Sequence, residues 1–384
     1  MNFASRLDNI TPALTLSISA TAKALEHDGI DVCNFSAGRP EFDTPAHIKE
    51  AAKRALDRGE TKYGPVGGIP ALRDIVAHKL TAENSLPYTA DNIAICNGCK
   101  HALYNLMLVL VEPGDEVLMH APYWLTFPEI VRLAGGVPTY LHTTLHSGYK
   151  FTAAQLRAAI SPRTKVFLFN SPTNPTGAVF TPEEIKAIAE VIVEKELLVV
   201  SDEIFEKIIY SDVPHVSIAS FGPDIARRTI VCHGFSKIYS MTGWRVGYMA
   251  GPPEVIHAVI TAQSHCTSNV CSFAQYGAIA CYTDPESAAA VEHFMSLYRE
   301  RRALMYELVS NVPGWRCHKP EGTFYLFPNI SDTGMQSLEF CAWLLQTHHI
   351  AAVPGIVFGA DDHVRFSFAT DREKIEKAAG RLLA

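Results

Sequence analysis

Gly234-Phe235-Ser236-Lys237, followed by Met241-Thr242-Gly243-Trp244-Arg245-Val246-Gly247, puts a lysine beside a hydroxyl with an arginine eight residues on. Such a lysine can be an imine-forming amine next to a phosphate site. Ser236 and Arg245 would neutralise and hydrogen-bond the phosphate, and the glycines would let backbone come close. A surface lysine with a structural arginine would read the same way. Ser201-Asp202-Glu203 closes the apolar run Leu197–Val200. That places Asp202 at the carboxyl end of a buried strand, the edge at which open α/β sheets bind ligands. A carboxylate there needs a cation, and a protonated pyridine nitrogen is a suitable one, because the pair keeps the ring an electron sink for charge released at Cα. A helix N-cap is the other use of an aspartate in that position.

Three more segments fall at strand ends. Asn170-Ser171-Pro172-Thr173-Asn174-Pro175-Thr176-Gly177 follows the apolar run Lys165–Phe169. It is either a turn or a loop whose Asn174 amide faces a ring oxygen. Asn97-Gly98-Cys99-Lys100 lies between a strand and a helix, where its amides could cradle a phosphate. Trp124 opens the next segment and could stack on a ring or simply fill core. Cys96 and Cys99 form a C-x-x-C with no second pair, so neither a metal nor a redox site is expected.

The elements that would hold these residues alternate as in a parallel sheet with crossover helices. Buried strands are expected at Asn92–Cys96, Glu116–His120, Lys165–Asn170, Leu197–Ser201, Thr229–His233 and Val246–Ala250. Helices are expected near 100–111, 123–135, 152–160 and 182–194. Thr181-Pro182-Glu183-Glu184 starts the last with a cap, a first-turn proline and a capping box. Asp43-Thr44-Pro45 offers a similar start for a helix through about Leu56. Beyond Ala250 come helices near 252–262, 270–282 and 286–310, then short strands Phe324–Phe327, Ala351–Val353 and Val364–Phe368 with helices near 336–346 and 371–383. The expected division is a large α/β domain, 46–285, and a smaller α+β domain from 1–45 and 286–384.

The chain has 384 residues, 48% hydrophobic and 19% charged, which is enough for more than one compact core. Its net charge of −7, without a Lys/Arg-rich block, argues against nucleic acid and anionic membrane as partners. Residues 1–10 lack the apolar core of a secretory signal, and no apolar stretch reaches membrane-span length. Nine scattered cysteines read as reduced, mostly packed thiols of a cytoplasmic protein.

Taken together, Ser36-Ala37-Gly38, Thr61-Lys62-Tyr63-Gly64, Asn170–Gly177, Asp202-Glu203, Ser236–Gly247 and Val364-Arg365 resemble the aspartate aminotransferase family of fold-type I pyridoxal-phosphate (PLP) enzymes, in its bacterial and cyanobacterial branch. The likeness spans essentially the whole chain. It implies a large PLP-binding domain with a mostly parallel sheet flanked by helices, plus the smaller domain. Lys237 would carry the cofactor as an imine and shuttle the Cα proton, and Asp202 would pair with the pyridine nitrogen. Asn174 would meet the ring oxygen and Trp124 would stack on the ring. Ser236, Arg245 and the amides that follow Gly98, those of Cys99 and Lys100, would hold the phosphate. Tyr63 would reach the phosphate of a neighbouring subunit, which implies a homodimer. Arg365 would clamp the substrate α-carboxylate, helped by Asn174 and the backbone at Gly38.

Five residues depart from the family pattern and are expected around one pocket: Phe205 for a tyrosine, Arg39 for an acid, Cys99 for a glycine, Ala13 for a serine and Phe368 for a tyrosine. The resemblance implies amino transfer between an amino acid and a 2-oxo acid. Lys100 and Thr15 favour an aspartate-like substrate; Ala13 and Arg39 count against it. Because fold does not decide reaction, the departures keep open a diverted enzyme of elimination, dehydration or cyclisation.

Overall fold

Seven strands form the central sheet: β1 (Ile93–Cys96), β2 (Glu116–Ala121), β3 (Val137–His142), β4 (Thr164–Asn170), β5 (Leu198–Asp202), β6 (Thr229–Gly234) and β7 (Gly247–Ala250). This computed structural model describes residues 4–8, 10–11 and 14–383, with the side chains of all these except 14–17 and 19. The strand order is β1-β7-β6-β5-β4-β2-β3. Only β7 runs against its neighbours β1 and β6; every other pairing is parallel.

The order has a direct consequence for the candidate residues. Because β7 is antiparallel to both β1 and β6, those two point the same way, and their carboxyl ends meet at one edge. Gly247 pairs with Cys96 on one side and Gly234 on the other. Asn170 pairs with Asp202, and Asp202 with Cys232. The loops carrying Gly98, Asn174, Asp202 and Lys237 therefore leave one sheet edge side by side, as ligand sites of open sheets do.

All six strands expected from the sequence form, each within a residue or two, because each is a run buried on both faces. β3 was not expected. It is an edge strand with only Leu141 buried, so its sequence, Val-Pro-Thr-Tyr-Leu-His after two glycines, carries no apolar run. The helix Pro70–Asn84 was likewise not foreseen.

Local signals were read well at one helix start and wrongly at another. Thr181 caps Pro182–Glu194, accepting from the Glu184 amide at 3.2 Å while Glu184 Oε2 accepts from the Thr181 amide at 2.8 Å. Thr44 does not cap Ala46–Asp57. Its hydroxyl donates to the Ser240 carbonyl at 2.7 Å and accepts from Trp244 Nε1 at 3.0 Å. With Ser240 Oγ donating to the Phe42 carbonyl, those bonds fasten residues 42–44 to the turn that carries Lys237.

After the long helix Glu286–Asn311 comes a small antiparallel sheet, Val353–Pro354 against Val364–Ser367 against Tyr325–Leu326. The single strand expected at Ala351–Val353 is in fact two. Ile350–Ala351 pairs with Cys33–Asn34, and Val353–Pro354 pairs with Val364 and Arg365. The ladder changes partner at Ala352, which no local pattern records. All nine cysteines are free and six are buried. Among the described residues no helix is long and apolar enough to cross a membrane.

Candidate active site

A cavity of about 310 Å³ opens at the carboxyl edge of the sheet, lined among others by Gly38, Cys99, Lys100, Trp124, Asn174, Asp202, Ser236, Lys237, Arg245 and Arg365. Ten of the twelve sequence-predicted site residues thus line one space. Gly98 contributes backbone just behind it, as described below. Tyr63 does not line it; its side chain is 91% exposed on this chain.

Lys237 extends from the turn after β6 and donates from Nζ to the Gly38 carbonyl at 2.6 Å. The amine also lies 5.6 Å from the ring centres of Phe205 and Phe324. Burial, with help from the Arg365 charge, lowers its pKa to about 8, so a neutral and nucleophilic amine is within reach near neutral pH. Asp202, at the end of β5, is 3% exposed. Burial raises its pKa to about 6, against the opposing pull of the Ile204 amide, the Cys99 thiol and the Lys237 charge.

Asn170 positions what lies beyond it. Its Nδ2 donates to the Asp202 carbonyl at 2.9 Å, while its Oδ1 accepts from the Asn174 amide at 2.9 Å. Asn174 Oδ1 in turn accepts from Arg365 Nη1 at 3.1 Å, which leaves its own amide hydrogens for a ligand. Arg365 is 2% exposed, packed 4.3 Å from the Tyr325 ring centre and 4.9 Å from that of Phe358. Nη2 reaches the Ser36 carbonyl at 3.4 Å, but the buried Nε has no partner among the described residues. An unpaired buried guanidinium nitrogen is costly unless an anion arrives. Gly38 leaves room here: a Cβ on it would lie 3.0 Å from the Tyr325 hydroxyl and 3.7 Å from Arg365 Nη2.

At the other end, the helix Cys99–Leu110 begins with Gly98 at φ +83°. A Cβ on Gly98 would lie 2.5 Å from Arg245 Nη2, and one on Gly247 only 2.5 Å from the Cys99 amide nitrogen. Both glycines are required by close approach. Arg245 is tied to the Thr242 carbonyl at 3.0 Å and the Asn97 carbonyl at 3.1 Å. Ser236 Oγ makes no hydrogen bond among the described residues. Helix N-terminal amides, a free hydroxyl and a guanidinium thus converge, the donor set a phosphate takes. Lys100 Nζ lies 4.9 Å from the Trp124 ring centre.

This set fits pyridoxal phosphate at each point where it can be tested: an amine, a buried acid, a guanidinium with an orphan nitrogen, and a glycine-lined anion cradle. The expectation about departures needs correction. Arg39, Cys99 and Phe205 line the cavity, but Phe368 does not. It is fully buried beyond the strand Val364–Ser367 and packs against Tyr210, ring centres 6.0 Å apart. Ala13 and the Thr15 side chain lie outside the described residues. Tyr325, which also lines the cavity, had no role in the sequence reading. Its place depends on strand pairing with Ser367, and no local motif marks it.

The profile of the family described as "Aminotransferase class I and II" matches residues 30–382. The chain is similar to the aspartate aminotransferase of Geobacillus stearothermophilus, 45% identical, the match covering 100% of this chain and 98% of that relative. It is 40% identical to the aspartate/prephenate aminotransferase of Cereibacter sphaeroides, over 98% and 97% of the two chains. The solved aspartate aminotransferase from Thermus thermophilus with maleate superposes at a TM-score of 0.96 with 39% identity, covering 99% of this chain and 98% of that one.

Proposed function

The chain belongs to the class I and II aminotransferases, and from that premise we propose that it moves the amino group of an aspartate-like amino acid to a 2-oxo acid with pyridoxal phosphate as cofactor. The observation that carries the reading is the convergence of the desolvated Lys237 amine, Asp202 and the incompletely paired Arg365 in one cavity.

Pyridoxal phosphate, when bound, supplies an aldehyde for the amine nitrogen and a ring that accepts the electron pair released at Cα. The protein does the rest. Lys237 Nζ would hold the cofactor, and its freed amine would carry the proton between the substrate Cα and the cofactor's aldehyde carbon, the transfer that defines amino transfer. Asp202 keeps the pyridine nitrogen protonated. Asn174 Nδ2 would donate to the ring oxygen and Trp124 would pack against the ring. Arg365 would hold the α-carboxylate and so orient the bonds at Cα. Ser236, Arg245 and the Cys99 and Lys100 amides hold the phosphate. Tyr63 completes the phosphate site of the neighbouring subunit in a homodimer, a role in keeping with its 91% exposure on this chain.

Charge supports the substrate class. The cavity is lined by Arg39, Lys100, Lys237, Arg245 and Arg365 against the single acid Asp202. Three of the cations have assignments above. Lys100 and Arg39 remain, and Arg39 makes no ion pair or hydrogen bond among the described residues. Two unassigned cations favour a substrate with an anionic side chain. Arg39 counts against that reading as a departure from the family pattern, but its charge in the cavity lining supports it. The Thermus relative solved with maleate, a dicarboxylate, agrees. Elimination or cyclisation has no observation behind it, and the relatives named above all carry aminotransferase names.

The test is purified protein with pyridoxal phosphate, aspartate and 2-oxoglutarate. Oxaloacetate should form over many turnovers only when both substrates are present, and aspartate alone should convert the cofactor to its amine form with release of a single equivalent of oxaloacetate. Sustained turnover without a 2-oxo acid would overturn amino transfer. Arg39→Glu should raise KM for aspartate about three- to tenfold and leave a neutral amino acid unaffected; equal effects on both would remove Arg39 from substrate selection.

A further inference from the structure

Cys99 does more at this site than offer a backbone amide. It is 8% exposed, lines the cavity, and places Sγ 3.7 Å from Asp202 Oδ1. The same oxygen accepts from the Ile204 amide at 3.2 Å. Both donors to the Asp202 carboxylate thus fall on Oδ1, and Oδ2 accepts no hydrogen bond from any described residue. Asp202 lines the cavity, so Oδ2 is left open to take a donor from a bound ligand.

We propose that Cys99 is a positioning residue for the reaction, its thiol donating to Oδ1 of Asp202 so that Oδ2 is the oxygen presented to the pyridine nitrogen. The inference rests on the pyridoxal-phosphate reading above. Two donors on one oxygen fix the rotation of the carboxylate, which a single backbone amide would leave freer. They also draw charge toward Oδ1 and make the acid a weaker base. A weaker base leaves the shared proton on the pyridine nitrogen, so the ring stays cationic and withdraws electrons more strongly. The thiol remains a donor because burial, and next the neighbouring Asp202 charge, push its pKa well up. The helix start makes the arrangement possible: the Cys99 amide faces the phosphate cradle while its side chain reaches Asp202 at the end of β5. One residue would then address both ends of the cofactor.

The test compares wild type with Cys99→Ser and Cys99→Ala, each loaded with pyridoxal phosphate and free of substrate. Its readout is the pH midpoint of the bound cofactor's visible absorbance. Serine keeps a donor and alanine removes it, while both remain small enough for the helix start. The alanine midpoint should rise by about half a pH unit, the effect of one weak hydrogen bond on the ring's electron demand, with serine restored toward wild type. Alanine should also lose cofactor faster on dialysis at unchanged Tm of the apoprotein. Coincident midpoints in all three proteins overturn the assignment, as does a shift in serine equal to that in alanine. A wild-type protein that takes up no colour fails the aminotransferase reading itself, which separates the two failures.

Discussion

Lys237 and Asp202 titrate abnormally for one shared reason: the cavity removes water from both. For Lys237 the direction is downward, to about 8 from 10.5. Between those values the unfolded chain holds a proton that the folded apoprotein lacks, so apoprotein stability climbs with pH across that window. Below about 8 both states are protonated, and the folded state bears the cost of a buried cation. The functional counterpart is the capture of pyridoxal phosphate, which needs the neutral amine. Its rate should rise with pH, with a midpoint near 8, and level off above; a flat profile from about pH 7 to 9 would contradict the assignment, and Lys237→Ala should capture none covalently. Asp202 moves the other way, to about 6 from 3.8. Between those values the folded apoprotein keeps a proton that the unfolded chain has lost, so this group's contribution to stability falls as pH rises through the window. A protonated ring nitrogen offsets that cost. Asp202→Ala should therefore still bind cofactor but exchange the Cα hydrogen at least about a hundredfold more slowly, as followed by loss of deuterium from labelled substrate. Undiminished exchange would remove Asp202 from the electron-sink role.

Elements position these residues through two kinds of contact, one readable locally and one not. The Thr181–Glu184 capping box is local, and Thr181→Ala should cost about 1 kcal/mol in urea denaturation without altering the cofactor's absorbance. The contact that ties the helix Pro70–Asn84 to the turn after β5 is not local. Lys79 Nζ donates to Glu206 Oε1, Asn84 Nδ2 donates to Oε2 at 2.9 Å, and His233 Nε2 lies 3.2 Å from Oε1. Burial pushes the Glu206 carboxyl upward, but the His233 and Lys79 charges together hold it well below the ordinary range. Glu206 sits beside Phe205, and His233 is four residues before Lys237, so this buried cluster links the acid-bearing and lysine-bearing turns. Glu206→Ala would leave the buried Lys79 charge with only Asn84 Oδ1 at 2.8 Å and the Glu83 carboxylate at 4.0 Å, and should cost about 3 kcal/mol. A loss below about 1 kcal/mol in the same denaturation assay would show that water reaches the cluster.

At the scale of the molecule, the proposed homodimer makes each active site depend on Tyr63 of one subunit and Lys237 of the other. Mixing Tyr63→Ala and Lys237→Ala proteins, each impaired alone, should then recover activity. A mixed dimer carries both lesions in one site and none in the other. If subunits exchange at random, half the dimers are mixed and each keeps one of two sites, so recovery should approach about a quarter of wild type. No recovery, with exchange verified by mass, would place Tyr63 outside its neighbour's site.

Motif residues needed only their own neighbourhood to be found. Ser236, Lys237, Arg245, Asn174 and Asp202 sit next to strand ends, and a strand buried on both faces announces itself as an apolar run. The direction of β7, the split of 350–354 between two sheets, the unexpected edge strand β3 and the place of Tyr325 were settled by pairing between distant segments. So was the separation of Phe368 from the cavity and the meeting of the Cys99 thiol with Asp202, 103 residues apart. Sequence determined which groups could do chemistry, because residue type and strand boundaries are local properties of the chain. Tertiary structure decided which of them share one oxygen, one cavity or one charge, because hydrogen bonds and burial act over ångströms in space, without regard to separation along the chain.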